Sequence, residues 1–329
     1  MRDPLTPART LGIVAIAALA SALALVAASM AGSVHVDFAS VLVALFGGVP
    51  GSPDAAAIVL SLRLPRALCA FAVGGLLALA GTLLQVVLRN PLADPYVLGV
   101  SGGAAVGALG AILVGALALV APAAFAGAVV STAIVFTLAG HRDARASPRL
   151  LLTGVVVAAG WGALIALILS VAPSAQVKGM LYWLIGDLNG AADPRAALAA
   201  LAVSLVASLF IARSLNRLAR GPDHAEALGV DVRRTALVTH GIAAFAAAAA
   251  VTQAGSVGFV GLVVPHALRL VIGNDQRVLL PAAVFAGGAL VVVADTLART
   301  LFAPMSVPVG VVTALVGVPT FLVLQRRAG

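Results

Sequence analysis

Apolar residues in this chain form long runs that are separated by short polar connections. Each run is about as long as the ~20 residues that an α-helix needs to cross the hydrocarbon core of a bilayer. The runs are apolar on all sides, whereas the strands of a membrane β-barrel would alternate over about ten residues. The pattern predicts an all-α membrane protein with about ten spanning helices, at residues 11–31, 64–87, 96–118, 122–140, 150–171, 195–213, 236–254, 258–273, 279–301 and 307–325.

Composition leads to the same class of protein. The 329 residues are 62% hydrophobic and 10% charged, with a mean hydropathy of +1.13. A soluble domain carries about 25% charged residues, so this chain cannot form a water-compatible surface. We expect one transmembrane domain over residues 1–329. The single cysteine, Cys69, lies inside an apolar run, which excludes an intrachain disulfide and supports no metal site.

In a soluble protein the net charge of +8 would suggest binding to nucleic acid. In a membrane protein it is interpreted as the excess of basic residues in cytoplasmic loops that sets the orientation in the membrane. Ten spans with a cytoplasmic N-terminus also place the C-terminus in the cytoplasm. Fifteen of the 20 basic residues then face inward, as the positive-inside rule requires. The outward basic residues are Arg63, Arg66, Lys178, Arg195 and Arg299. The predicted partner of the surface is the lipid bilayer, not nucleic acid.

The first apolar run has a second possible interpretation. Arg2 and Arg9 precede a run that ends in AASMAG, which is also the pattern of a secretory signal peptide. The run over 11–30 is longer than a typical signal-peptide core and long enough to span a bilayer. A retained first helix is therefore expected.

Two outward segments, at about 31–61 and 172–194, are longer than simple turns. The second contains MLYWLIG, whose aromatic and apolar residues are typical of a short helix at the membrane surface. The longest inward segment, at about 214–235, is too charged to enter lipid. It is predicted to meet a soluble partner.

A polar stretch and a glycine-rich stretch adjoin each other after the second span. Pro91 and Pro95 in RNPLADP cannot lie inside a continuous helix. The residues alone leave open whether this turn is only rigid or also gates the inner mouth. Gly99, Gly103 and Gly107 recur every four residues, so one face of the third span can approach a neighbouring helix closely.

Motifs for catalysis are absent from the sequence. The single lysine, Lys178, is not preceded by the G-x-x-x-x-G-K-[ST] loop that holds nucleotide phosphates, so this chain is not expected to hydrolyse ATP. Asp295 and Arg299 are four residues apart and are predicted to form an ion pair on one helix face. An ion-coupled secondary transporter would need coupling carboxylates near the midplane, which makes it the weaker alternative.

Six motifs in a fixed order carry a family resemblance. They are LRLPRAL (62–68), RNPLADPYVLGVSGGAAVG (89–107), RLLLTG (149–154), AEALGV (225–230), GFVGLVVPHALRL (258–270) and PVGVVTALVGVPTFL (308–322). Together they closely resemble the permease subunits of ABC importers for vitamin B12, iron–siderophore complexes and haem. The resemblance covers nearly the whole chain. It implies a homodimer of ten-helix subunits in the bacterial inner membrane, with two ATPase subunits beneath and a periplasmic binding protein above.

The resemblance also implies roles for residues on the outward side. Arg63, Arg66 and Arg299 match arginines that grip glutamates on the binding protein, a task suited to the planar guanidinium. The segment at about 172–194 matches a short gating helix near the substrate entrance. Asp187 in IGDLNG stands where a smaller residue is expected, and no role follows for it.

On the inward side the resemblance implies a gate and a coupling site. Asn90 and Leu92 match one cytoplasmic constriction, and Ser147 and Pro148 match a second. The residues that match the ATPase coupling helix are His224, Ala225, Glu226, Ala227, Leu228, Gly229 and Val230. ATP and magnesium would be bound by the partner ATPase, so no cofactor is expected in this chain.

Cargo is the least constrained expectation. An iron chelate, either a siderophore complex or haem, is expected because it is the commoner cargo of the family that the chain resembles. Cobalamin is the alternative within that family. In such a system selectivity lies mainly in the binding protein, so the permease sequence does not choose among the three.

Overall fold

The computed structural model describes residues 7–32, 34, 36–46, 56–139, 147–191, 193–301, 303 and 305–328. Within these ranges the regular structure is helical, without a β-strand. The helices of the first half are α1 Pro7–Met30, α2 Phe38–Leu45, α3 Leu64–Val87, α4 Val100–Leu113, α5 Val120–Ala139 and α6 Ser147–Val171. A π-helical turn, Ile58–Arg63, leads into α3, and 3₁₀ turns at Pro95–Leu98 and Leu117–Leu119 flank α4.

The second half begins with a short helix in the segment that the sequence predicted to face outward. Its helices are α7 Ser174–Ile185, α8 Arg195–Leu218, α9 Pro222–Ala227, α10 Val232–Ala254, α11 Val260–Ile272, α12 Gln276–Thr300 and α13 Val309–Ala328. The structure thus has short helices, α7 and α9, within the long outward and inward segments that the sequence predicted.

The number and order of apolar helices agree with the ten predicted spans. Seven helical segments in the described part of the chain are long and apolar enough to cross a membrane. Three shorter apolar helices, Val100–Leu113, Val260–Ile272 and Val309–Leu324, occupy the remaining predicted positions. The prediction of an all-α membrane fold is confirmed.

The third predicted span is the one whose boundaries were wrong. The sequence predicted a continuous run at 96–118, but α4 covers only Val100–Leu113. The 3₁₀ turn before it ends at Gly99, whose φ of 71° is left-handed. Pro95 starts that turn, and Gly99 follows it with a left-handed backbone conformation. Because a right-handed helix cannot continue through Gly99, the turn and α4 remain separate.

Helix α3 is the centre of the molecule. Its side chains are buried on every side from Ala72 to Val87, and it packs against α8, α10, α11 and α12. This explains why its sequence is apolar all round, with no polar face. A β-carbon at Gly81 would overlap the carbonyl oxygen of Gly261 on α11. The contact between α3 and α11 is therefore made backbone to backbone.

Candidate functional site

The three outward arginines of the sequence prediction lie near one another around Asp295. Arg63 ends the π-helical turn, Arg66 lies in the first turn of α3, and Arg299 lies in the last turn of α12. Asp295 is one turn before Arg299 on the same helix and is 2% exposed. The outer ends of α3 and α12 therefore share a cluster of charged groups.

Arg63 is directed into the protein. It is 6% exposed and donates hydrogen bonds to the carbonyl oxygens of Ser29 (3.0 Å), Met30 (2.8 Å) and Val34. A guanidinium at the carbonyl end of a helix satisfies unpaired acceptors and complements the helix dipole. Arg63 thus fastens the outer end of α1 to α3. Its predicted docking role remains a prediction, and in this structure the group is not presented outward.

Arg66 is the main partner of Asp295. Arg66 Nε donates to Asp295 Oδ2 at 2.9 Å and Nη2 donates to Oδ1 at 2.7 Å. The two side chains are 18% and 3% exposed, so this two-point ion pair is largely shielded from water. Charge-assisted pairs of this geometry are the strong ones. The sequence did not indicate the pair, because 229 residues separate its members.

The ion pair predicted within α12 is present but is the weaker contact. Arg299 Nε lies 3.7 Å from Asp295 Oδ2. Its terminal nitrogens instead donate to the carbonyl oxygens of Ala31 (3.0 Å) and Ala28 (2.5 Å) at the end of α1. Arg299 and Arg63 together hold α1 in place.

A polar chain extends outward from Arg66. Arg66 Nη1 donates to Asn189 Oδ1 at 2.8 Å, and Asn189 Nδ2 donates to Ser306 Oγ at 3.0 Å. Asn189 lies between α7 and α8, and Ser306 precedes α13. The sequence analysis singled out neither residue, and no local pattern marks them.

Asp187, for which the sequence suggested no role, makes hydrogen bonds that hold the segment after α7 in place. Its Oδ1 accepts a hydrogen bond from the backbone N–H of Asn189 at 3.1 Å, and burial raises the pKa of its carboxyl. Its own N–H donates to the carbonyl oxygen of Ala254 at 2.8 Å, and Gly310 N–H donates to the carbonyl oxygen of Gly186 at 3.2 Å. The end of α7 is therefore bound to α10 and α13 through the backbone.

A cleft of about 620 Å³ opens beside α7, on the side that the sequence predicted to face outward. Lys178, Tyr182 and Trp183 line it from α7, and Asp187 and Gln253 line it from neighbouring segments. Lys178 Nζ lies 5.8 Å from the centre of the Tyr182 ring. The short outward helix thus presents its aromatic and cationic residues to a cavity.

On the side that the sequence predicted to face inward, RNPLADP forms a compact turn. Asn90 Oδ1 accepts a hydrogen bond from Leu92 N–H at 2.9 Å, and the Asn90 carbonyl accepts one from Ala93 N–H at 3.0 Å. Leu92 is 48% exposed. These contacts account for a rigid turn, and the predicted gate role of Asn90 and Leu92 stays a prediction.

Asp94 and Tyr96 anchor the same turn to the bundle. Asp94 Oδ1 accepts from Tyr96 N–H at 2.8 Å, and the Tyr96 hydroxyl donates to the Val257 carbonyl at 2.9 Å. Burial raises the pKa of the Asp94 carboxyl to about 6. The turn thus contains a carboxyl whose charge changes near neutral pH.

The second predicted gate lies at the beginning of α6, which starts at Ser147. The side chains of Ser147 and Pro148 lie outside the described part of the structure. Their predicted role stays a prediction.

The predicted coupling helix begins earlier than its motif. The sequence placed it from His224, whereas α9 runs from Pro222 to Ala227. Proline suits the first turn of a helix because its missing N–H is not needed there. Ala225 is fully buried, and Leu228, just after the helix, is 48% exposed. Packing against α8 and α10 fixes α9 and leaves Leu228 accessible.

The predicted glycine face packs against α5. A β-carbon at Gly103 would overlap the Gly127 carbonyl oxygen, and one at Gly107 would overlap that of Ala123. The Gly99 carbonyl accepts from Ser131 Oγ at 2.7 Å, and Ser131 Oγ accepts from Trp161 Nε1 at 2.7 Å. This side of α4 is a close contact with α5 and α6.

Comparisons with known proteins agree on one kind of protein. Residues 18–327 match the FecCD transport family. The chain is 44% identical over 282 residues to the cobalamin import system permease protein BtuC of Halobacterium salinarum, covering 84% of this chain and 75% of that protein. It is 42% identical over 283 residues to the hemin transport system permease protein HmuU of Yersinia pestis, covering 82% and 83%. A solved inward-facing metal-chelate type ABC transporter aligns with a TM-score of 0.85 at 26% identity, covering 96% and 99%.

Proposed function

The chain belongs to the FecCD transport family, and from that premise we propose that it forms the membrane pathway for an iron chelate, either a siderophore complex or haem. The family and its relatives establish the coarser function, which is that of a permease component of an ABC importer for cobalamin, haem or iron chelates. The observation that supports the finer proposal is the 42% identity, over 82% of the chain, to the hemin transport system permease protein HmuU.

The charges of the bundle support an external energy source. Asp295 is the single acidic residue inside the predicted spanning runs, and Arg66 neutralises it at 2.7 Å. Because Asp295 already has this ion-pair partner, the predicted spanning runs contain no unpaired carboxylate at which a coupling ion could bind. We therefore assign the energy to ATP hydrolysis by a separate subunit, with no catalytic role for this chain.

The assembly that we propose follows from the family. Two copies of the chain form the pathway, two ATPase subunits bind the inward surface around α9, and a binding protein docks on the outward surface. The proposed location is the inner membrane, with both termini in the cytoplasm.

Cobalamin is the second candidate cargo. The 44% identity to BtuC is as high as the 42% identity to HmuU, so identity does not separate the two. We propose that the binding protein distinguishes the ferric siderophore, haem and cobalamin. The permease then needs only a pathway wide enough for the bound chelate.

The cargo proposal is tested by loading the partner binding protein with haem, a ferric siderophore or cobalamin. Each loaded form is added to the permease–ATPase complex in nanodiscs, and ATP hydrolysis is measured against the unloaded binding protein. Stronger stimulation by haem or the ferric siderophore is expected. Stimulation by cobalamin alone would overturn the iron-chelate proposal and leave the importer assignment in place.

A further inference from the structure

The segment Gly186–Gly190, which follows α7, is attached to the bundle at a buried base, which includes the side chain of Leu188 (1% exposed), and at an exposed end. At its base, Asp187 N–H binds the Ala254 carbonyl (2.8 Å) and the Gly186 carbonyl binds Gly310 N–H (3.2 Å). These are backbone contacts that no side-chain exchange can alter. Farther along, Asn189 is exposed and reaches Arg66 and Ser306 through its side chain alone. The second attachment is therefore the one that can be released.

Asn189 uses both ends of its carboxamide. Its Oδ1 accepts from Arg66 Nη1 at 2.8 Å, and its Nδ2 donates to Ser306 Oγ at 3.0 Å. Its backbone N–H is held by Asp187 Oδ1 at 3.1 Å, which orients the residue. One side chain thus joins α3, the segment after α7 and the turn before α13.

The contacts of Arg66 differ in how readily they can be exchanged. Inside the protein, the Asp295 carboxylate accepts hydrogen bonds from Arg66 Nε and Nη2, and its side chain is 3% exposed. Removing its partner would leave a buried charge uncompensated, which is strongly unfavourable. Nη1 binds only the neutral oxygen of Asn189, at the exposed edge. A carboxylate from outside would make a charge-assisted bond, about twice as strong as the bond to a neutral acceptor.

We infer that Asn189 is a latch residue, which holds the segment after α7 to Arg66 until an acidic side chain of the docking protein takes Nη1 in its place. The inference rests on the proposed function, because the docking protein is part of it. Asp295 is the positioning residue that keeps Arg66 directed toward the exchange. Docking releases Asn189, and the segment next to α7 then loses its exposed attachment while its buried base, with Leu188 and the backbone hydrogen bonds, persists.

The latch makes opposite predictions for two substitutions at one position. Asn189→Ala removes the side-chain attachment and should raise ATP hydrolysis without binding protein by about fivefold, the effect of losing about one ordinary hydrogen bond at an exposed position. The concentration of binding protein for half-maximal stimulation should fall, with the maximal rate unchanged. Asn189→Asp strengthens the bond to Arg66, so this concentration should rise by about fivefold, without an increase in basal hydrolysis.

The experiment uses the permease–ATPase complex in nanodiscs with the loaded binding protein as titrant. Ser306→Ala removes the other half of the attachment and should give a smaller change in the direction of Asn189→Ala. Ser170→Ala is the matched control, because Ser170 Oγ bonds only within its own helix, to Ala166 (2.7 Å). The apparent Tm of each complex shows that it is folded.

Opposite shifts for Asn189→Ala and Asn189→Asp support the latch. Shifts in the same direction, or values within twofold of wild type for both, overturn it and leave Asn189 with a structural role. The response of the wild-type complex to the binding protein tests the proposed importer function independently of the latch. Stimulation of wild type with no response at Asn189 overturns the latch alone, whereas a wild-type complex that the binding protein does not stimulate overturns both.

Discussion

At the scale of single residues, the outer ends of α1, α3 and α12 are held together by arginines that find their acceptors within the chain. Arg63 and Arg299 bind carbonyl oxygens at the end of α1, and Arg66 binds Asp295. In a low-dielectric setting an unpaired guanidinium or carbonyl would be costly, so each contact stabilises the fold whatever else it does. Docking by these residues has to be compatible with those contacts.

The substitution Arg63→Ala is expected to destabilise the protein. It leaves the carbonyl oxygens of Ser29, Met30 and Val34 without their donor, at a cost of about 3 kcal/mol. The apparent Tm of the purified protein in detergent measures this. Arg195→Ala is the control, because Arg195 is exposed and pairs only with Asp193 at the surface. Equal apparent Tm values for Arg63→Ala and wild type would show that Arg63 has no structural role.

Asp94 is predicted to make the stability of the folded protein depend on pH. Its folded-state pKa of about 6 lies above the value of about 3.9 for an unfolded chain. The native state then holds the proton more tightly, so the contribution of Asp94 to stability falls as the pH rises from about 4 through 6. At neutral pH the loss is at most about 3 kcal/mol.

Asp94→Asn removes that loss while keeping an oxygen that can accept from Tyr96 N–H. The variant should have a higher apparent Tm than wild type at pH 7.5 and the same apparent Tm at pH 4. Thermal unfolding followed at both pH values measures this difference. A variant that is less stable than wild type at pH 7.5 would contradict the account.

At the scale of helices, the close contacts are made where glycines face a neighbouring backbone. Gly103 on α4 meets Gly127 on α5, and Gly81 on α3 meets Gly261 on α11. Helices in lipid gain little from burying apolar surface, so this close approach supplies the van der Waals contact that holds them. The glycine pattern therefore determines which helices become neighbours.

Gly103→Ala tests that contact. The added methyl group would overlap the Gly127 carbonyl oxygen, so α4 and α5 must separate, at a cost of about 2 kcal/mol. Gly241→Ala is the same change on α10 at a position with open space, and it should be neutral or slightly stabilising. The apparent Tm of the two variants is compared. A Gly103→Ala protein as stable as the Gly241→Ala protein would contradict this packing.

The sequence predicted helices better than it predicted contacts. The span predicted at 64–87 ends at Val87 as predicted, because the apolar run stops at polar residues there, but the helical segment begins earlier, with the π-helical turn Ile58–Arg63. The left-handed Gly99 that divides the third run is not visible in an apolar pattern. Arg66 and Asp295 are far apart in the chain, and only the fold brings them together. The same is true of Asn189 and Ser306.

At the scale of the whole molecule, one helix connects the two faces of the bundle. α10 runs without interruption from Val232, beside α9, to Ala254, whose carbonyl binds Asp187 after α7. Its 23 residues extend about 34 Å. α10 is therefore one continuous element between α9 and the segment after α7.

The central claim is that transport through this chain is driven by ATP hydrolysed in a partner subunit. It is tested most directly in proteoliposomes that hold the permease and ATPase, with ATP inside and the loaded binding protein outside. We expect the iron chelate to accumulate only with internal ATP, and to do so also when a protonophore collapses the proton gradient. Accumulation that follows a proton or sodium gradient in the absence of ATP would contradict it.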